Sequence, residues 1–378
     1  MKKILCFILF LFLFAASHNI AKAQQRADIQ RTTVFQAGEN GYSCFRIPAV
    51  IQTKTGILLA FAEARKNSCA DSGDIDMVEK RSEDGGRTWS PLIIVRDDGE
   101  NACDNPIPIV DRRTGRIILV TSWGAGNESE AIINSKNFQK GRRIFVSYSD
   151  DEGLTWSAAK DITTDVKQDG WAWNVTGPCH GIQLQKGPHK NRYVVPANHT
   201  FIGAKGTYTH VIYSDDGQNW KLGGIITEQG GNESTVVELK NGTLLLNMRN
   251  YNRKISKTRS FVTSKDCGLT WSKMQYAPEL IEPVCQGSIL NLTKNGKLTS
   301  RILFSNPASE KERVKMTIRM SKDNAKTWPY SFLVYDGPSA YSDIVVMNNT
   351  TIGILYENGV KDAYEKIEFA VVPVSLIK

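Results

Sequence analysis

Short apolar runs punctuate this chain at close intervals. Residues 75–80, 144–148, 209–213 and 316–320 mix apolar with polar side chains in near alternation. Residues 56–61, 115–120 and 241–246 open on a glycine or Asn-Gly turn and continue as apolar runs. A period of two sets one face of a strand against a core, and polar-Gly pairs make the turns between such strands. Sustained helical periodicity is nearly absent. The pattern predicts an all-β chain of short strands.

The alternating runs lead into one recurrent phrase, Ser-x-Asp-x-Gly-x-Thr-Trp or a near copy. Copies begin at Ser82, Ser149, Ser214, Ser264 and Ser321, with starts 67, 65, 50 and 57 residues apart. Recurrence at that period marks an array of similar units. The Ser and Asp side chains are expected to cap a tight turn and the Gly to supply a left-handed position. The Trp is expected to fold back as an apolar plug between neighbouring sheets. The third copy is one residue short and the fifth carries Ala325 in place of Gly, so both turns are expected to differ in shape. Units of this length with four strands each suggest propeller blades. The fold predicted is an all-β, six-bladed β-propeller forming one domain over residues 24–378, with the repeat aspartates structural.

The beginning of the chain bears on its compartment. Lys2 and Lys3 precede an apolar run over residues 4–16, and Ala21-Lys22-Ala23 follows. These are the charged, apolar and small-residue parts of a cleavable signal peptide, placed at residues 1–23. The run is short for a bilayer span, and no second run is long enough. Export to the periplasm, cell surface or medium is expected, with no stable membrane span. The formal charge is +8, and removal of Lys2, Lys3 and Lys22 brings it near +5. The basic residues are scattered, which argues against a nucleic-acid partner. Six cysteines remain, widely and irregularly spaced, without a CxxC, an HExxH or a Cys/His cluster. No metal site and no cofactor are expected; disulfides and buried thiols both stay open.

One segment stands outside the repeats. Phe45-Arg46-Ile47-Pro48 sets an arginine in an apolar run just before a proline. With the five repeats, in this order and spacing, it resembles the exo-sialidase (neuraminidase) family of bacterial and animal type, over essentially the whole chain after residue 23. The resemblance implies a six-bladed propeller that hydrolyses terminal α-linked sialic acid, with sialylated glycans, glycoproteins and glycolipids as partners. It implies an arginine triad at Arg46, Arg249 and Arg313, with Arg319 the rival for the third place. Glu357 matches the residue that steadies the first arginine. Tyr341 matches the nucleophile and Glu233 its partner. Asp71 matches the general acid, with Asp74 and Asp76 as nearby competitors. Arg65 and Asp104 resemble contacts to the sugar ring.

These residue types suit that chemistry. Guanidinium forks bind a carboxylate in paired, charge-assisted hydrogen bonds. A carboxylate nucleophile would meet repulsion at a carbon already bearing a carboxylate, whereas a phenol that loses its proton to an adjacent glutamate avoids it. Two further readings differ in detail. A non-catalytic sialoglycan-binding propeller would lack the acid, the tyrosine or its glutamate. A KDN-preferring or trans-acting enzyme would differ in pocket shape. Trp171 and Trp173, two residues apart on one strand face, either line the aglycone side or pack in the core.

Overall fold

The computed structural model describes residues 29–378, so the expected signal peptide lies outside the described residues. Among the described residues, the helical elements are Glu130–Asn134, Thr163–Val166 and a 3₁₀ turn at Val374–Leu376; the remaining elements are strands. The all-β expectation holds. The apolar runs become the strands Leu58–Arg65, Ile75–Ser82, Ile117–Gly124, Arg143–Ser149, Tyr208–Ser214, Leu244–Asn250 and Val314–Ser321.

The strands form four hydrogen-bonded sheets. One is a four-stranded meander from Gly231–Glu238 out to Gln275–Ile281. A second runs from Trp171–Thr176 through Tyr193–Phe201 and Tyr208–Ser214 to Trp220–Ile226. An eight-stranded sheet consists of two antiparallel meanders, starting at Cys44–Gln52 and at Ala102–Val110, joined by a single parallel pair, Ile75 with Ala102. In the seven-stranded sheet the 17-residue strand Tyr330–Val346 serves two neighbours. Its first part pairs with Val314–Ser321 and its second with Thr351–Asn358. The strand Arg31–Gln36 closes onto Lys366–Pro373.

The repeats sit at turns that lock one sheet to the next. In the first, Gly86 N–H donates to Ser82 Oγ at 2.8 Å, and Arg87 and Thr88 N–H both donate to Asp84 Oδ1 at 3.0 Å. The tryptophan then crosses to a neighbour: Trp89 meets Phe369 edge-on at 5.4 Å, and Trp220 packs with Ile118, Val146 and Ile212. The third turn differs, as its missing residue requires, with one left-handed position, Gly217, where the other copies have two. The expectation for the fifth is corrected. Asn324 and Ala325 take φ of 62° and 64°, and Ala325, Lys326 and Thr327 N–H make the bonds of the first copy. Six converging hydrogen bonds to Ser321 and Asp323 hold an alanine where glycine is the easier residue.

Cys44 and Cys69 form a disulfide, while Cys103, Cys179, Cys267 and Cys285 are buried free thiols.

Candidate active site

Several strands carry a bulge near one end, and the bulges fall where the candidate residues are. Register breaks lie between Arg46 and Ala49, between Asp104 and Ile107, between Trp171 and Asn174, between Gly231 and Ser234, and between Ser339 and Ser342. A bulge re-aims a side chain out of the ladder's alternation. At the first, Ile47 takes φ 58°, a costly value for a β-branched residue. Pro48 follows with no N–H to lose from the ladder. The second repeats the arrangement as Asp104, left-handed Asn105 (φ 52°) and Pro106.

Of the side chains at these breaks, Arg46, Asp104, Glu233 and Tyr341 meet Arg65, Asp71, Arg249 and Arg313 around one cavity of about 230 Å³. Glu357, the ninth predicted residue, lies fully buried behind it. Glu357 Oε1 accepts Arg46 Nε at 2.9 Å and the Ile47 N–H at 2.8 Å. Its Oε2 accepts Arg46 Nη2 at 3.3 Å and the Tyr341 N–H at 3.0 Å. One carboxylate thus neutralises a buried guanidinium and fixes two bulges.

Tyr341 donates its hydroxyl to Glu233 Oε1 at 2.5 Å. Arg249 Nη1 donates to Glu233 Oε2 at 2.6 Å and to the Tyr341 oxygen at 3.1 Å. Burial and the Glu233 charge push the phenol well above its ordinary value, against the pull of Arg249 and Arg313. The phenol therefore ionises only as its proton passes to a base already in place. Arg313 donates to Tyr364 Oη at 2.7 Å and to the Val284 carbonyl at 3.3 Å. Among the described residues no carboxylate forms an ion pair with it, so it retains capacity for an incoming anion. Its rival Arg319 reaches Asn306 Oδ1 at 3.4 Å, outside the cavity lining.

Across the cavity Asp71 stands on the loop before the first repeat. Its Oδ1 accepts Arg65 Nη1 at 2.7 Å and lies 3.7 Å from Arg46 Nη1. Its side chain is 79% exposed. Partial desolvation raises its pKa, but Arg65 and Arg46 outweigh this and hold the carboxyl below the usual range. Asp74 and Asp76 are absent from the lining, and Asp76 accepts the Tyr42 hydroxyl at 2.6 Å.

A protein-family model described as "BNR repeat-like domain" matches residues 56–354. The chain is 33% identical over 349 residues to a sialidase of Micromonospora viridifaciens, covering 88% of this chain and 53% of that protein. It is 31% identical to an exo-alpha-sialidase of Aspergillus fumigatus, covering 84% of this chain and 79% of that one. The solved structure of Hadza microbial sialidase Hz136 superposes with a TM-score of 0.82 at 30% identity, covering 92% of this chain and 69% of that one. The chain belongs to the sialidase family. It spans about half the length of the Micromonospora relative.

Other groups in or behind this sialidase-family cavity escape sequence reasoning. Glu63, fully buried, accepts Arg65 Nε and Nη2 at 3.1 and 2.6 Å and so aims the arginine that holds Asp71. Arg142 pairs with both oxygens of Asp104 and lies 4.6 Å over the ring of Trp173. Tyr364 places its ring 4.0 Å from the Arg46 guanidinium. The two tryptophans part company at the third bulge. Trp173 lines the cavity, while Trp171 is buried against His199 at 3.7 Å.

Cys179, His180 and Asp343 form a buried group whose atom types could ligate a metal. Asp343 Oδ1 accepts from Cys179 Sγ and from the His180 ring, each at 2.7 Å, and from Ser288 Oγ at 2.8 Å. These are hydrogen-bond separations, shorter than two ligands keep around one tetrahedral ion. The group braces the strand two residues beyond Tyr341.

Proposed function

We propose that this chain is an exo-α-sialidase that releases terminal α-linked sialic acid from glycans, glycoproteins and glycolipids, with retention of configuration and Tyr341 as nucleophile. The observation that carries this reading is the 2.5 Å contact of Tyr341 with Glu233 inside a cavity lined by four arginines, among them Arg46, Arg249 and Arg313. The sialidase relatives support it.

In the proposed cycle the substrate carboxylate is gripped by Arg46, Arg249 and Arg313. Its charge offsets the cations that hold Asp71 ionised, and so favours the protonated acid in the complex. Asp71 gives that proton to the glycosidic oxygen as the bond to the anomeric carbon breaks. Tyr341 attacks the same carbon and passes its proton to Glu233, while Arg249 stabilises the developing phenolate. Water then gives a proton to Asp71 and displaces the tyrosine, which recovers its own from Glu233. Two displacements restore the original configuration. Arg65 and Asp104 lie where they can contact the sugar ring.

The frame is read as a six-bladed propeller. The eight-stranded sheet divides at its single parallel pair, and the seven-stranded sheet divides within Tyr330–Val346. That gives six units of four strands, one of them with the added short strand Ile182–Gln183, and with innermost strands beginning at Cys44, Ala102, Trp171, Gly231, Ser288 and Ser339. Export through a signal peptide at residues 1–23, with one catalytic domain over 24–378, belongs to the same proposal and rests on the charged, apolar and Ala-x-Ala segments.

The test is incubation with α2,3- and α2,6-sialyllactose, with the released sugar identified by mass. Free sialic acid is expected. An anhydro product would favour an intramolecular transfer enzyme. Binding without release of any nonulosonic acid, across the pH range, would favour the sialoglycan-binding reading and overturn the enzyme one.

A further inference from the structure

The loop that carries Asp71 is lightly held. Its base is closed by Lys66 N–H to the Asp74 carbonyl at 3.0 Å and by Ser43 N–H to the Lys66 carbonyl at 3.2 Å. Between those points the described ties to the rest of the protein are few. They are the Cys44–Cys69 disulfide, the bond from Arg65 Nη1 to the Cys69 carbonyl at 2.6 Å, and the ion pairs of Asp71. Residues 66–71 are exposed. Cys44 itself is fully buried in the first strand of its sheet.

The two cysteines are in matched places. Cys44 lies two residues before Arg46, and Cys69 lies two residues before Asp71. The disulfide therefore joins the strand that presents the first arginine to the loop that presents the carboxyl. Charge alone holds Asp71 only while it is ionised. A general acid acts from its neutral form, in which the attraction of Arg65 and Arg46 for it is largely gone. A bound carboxylate on Arg46 weakens that hold further. The covalent tie does not depend on charge.

We propose that the Cys44–Cys69 disulfide is a positioning element for catalysis, which keeps Asp71 over the cavity in its protonated state. The proposal rests on the reading of Asp71 as the acid. It concerns leaving-group protonation, so its signature is a dependence on the leaving group. A sugar hydroxyl leaves only with a proton, whereas a nitrophenol leaves readily without one.

The experiment compares kcat and KM on 3′-sialyllactose and on 4-nitrophenyl sialoside for wild type, the Cys44→Ser/Cys69→Ser double variant and Asp71→Asn, with thermal midpoints for each. The double variant is expected to lose kcat on sialyllactose by ~10- to 100-fold and on the aryl substrate by less than ~3-fold, part of the range a positioned acid supplies. Equal losses on both substrates, or none on sialyllactose, overturn the proposal. Asp71→Asn tests the underlying reading separately. If it shows no leaving-group dependence, the acid assignment fails. If it does and the cysteine variant does not, only the disulfide proposal fails.

Reduction of folded wild type gives the same comparison without a substitution. A dithiothreitol thiolate attacks the exposed Cys69 sulfur, Cys44 leaves as a thiolate and takes a proton, and the second thiol closes the reagent's own disulfide and frees Cys69. The four remaining described cysteines are already buried thiols, so this is the pair the reagent changes. The same substrate split is expected. Its absence after the two new thiols have been titrated, or an oxidised enzyme in which Cys44 and Cys69 are unpaired, also overturns the proposal.

Discussion

Glu357 accepts the backbone N–H of Tyr341 at 3.0 Å with the same carboxylate that pairs with Arg46. The arginine proposed to bind substrate and the tyrosine proposed to attack it are thereby set against a single buried anion. Glu357→Gln offers an amide N–H₂ to donors and leaves Arg46 without its buried counter-charge, with only the exposed Asp71 at 3.7 Å. Breaking a buried pair in this way costs about 3–5 kcal/mol. Urea denaturation should register that loss, and KM for sialyllactose should rise together with a fall in kcat. A variant with normal stability and a change in KM alone would mean that Glu357 does not hold the Tyr341 backbone.

Tyr341→Phe removes the hydroxyl and leaves the Arg249–Glu233 ion pair in place. Turnover should fall by about 10³-fold or more, as when a nucleophile is deleted from a unit that acts together. The thermal midpoint should move little. Near wild-type hydrolysis of an aryl sialoside would remove Tyr341 from the nucleophile's place.

Glu79 is fully buried, and both of its carboxylate oxygens lack a hydrogen-bond partner. Burial pushes its pKa up to about 8, against smaller opposing effects of Trp156 and Arg81. The folded value lies above the unfolded value, so the folded state binds the extra proton between pH 4.5 and 8. Its contribution is fully present below about 4.5 and is lost as pH rises toward 8. Glu79→Gln keeps the neutral shape and removes the titration. The variant's advantage in thermal midpoint over wild type should therefore widen from pH 5 to pH 8. A constant difference would show that Glu79 is not the group responsible.

Neighbouring glycines in the first repeat should respond unequally to alanine. A Cβ on Gly86 would sit 2.4 Å from the Phe369 ring, at φ +85°; on Gly85 the nearest atom is Met347 Cε at 3.7 Å, at φ +75°. Gly85→Ala carries only the conformational penalty, about 1 kcal/mol. Gly86→Ala adds overpacking against an adjacent sheet, for a total of about 2–4 kcal/mol. Chemical denaturation of the two variants gives the comparison, and equal losses would mean that the ring moves aside freely.

The sequence carried most of the strands because turn chemistry and alternation are local properties. It brought forward nine candidate residues, eight lining one cavity and Glu357 behind it, because the segment at Arg46 and the repeats tied them to a family pattern. Arg142, Glu63 and Tyr364 were not legible. Each matters through a partner on another strand, and nothing in the neighbouring residues marks that partner. The bulges were hidden for a related reason. Trp171 and Trp173 read as one face under strict alternation, and only the register break between Trp171 and Asn174 sends one to the core and the other to the cavity. The fifth repeat went the opposite way, since Ala325 looked like a break in the pattern and proved not to be one.

Arg46 and Glu357 are 311 residues apart, and the strand Arg31–Gln36 finds its partner only at Lys366–Pro373. Contacts this distant in sequence cannot form until the chain through residue 357 has left the ribosome. A nascent chain that ends before residue 357 carries an arginine without its buried partner and a sheet edge with no neighbour, open to pairing with other chains. Synthesis through residue 373 is therefore the step that gives Arg46 its buried partner and the strand Arg31–Gln36 its neighbour at once. Premature termination just before residue 357 should be as damaging as loss of the site itself.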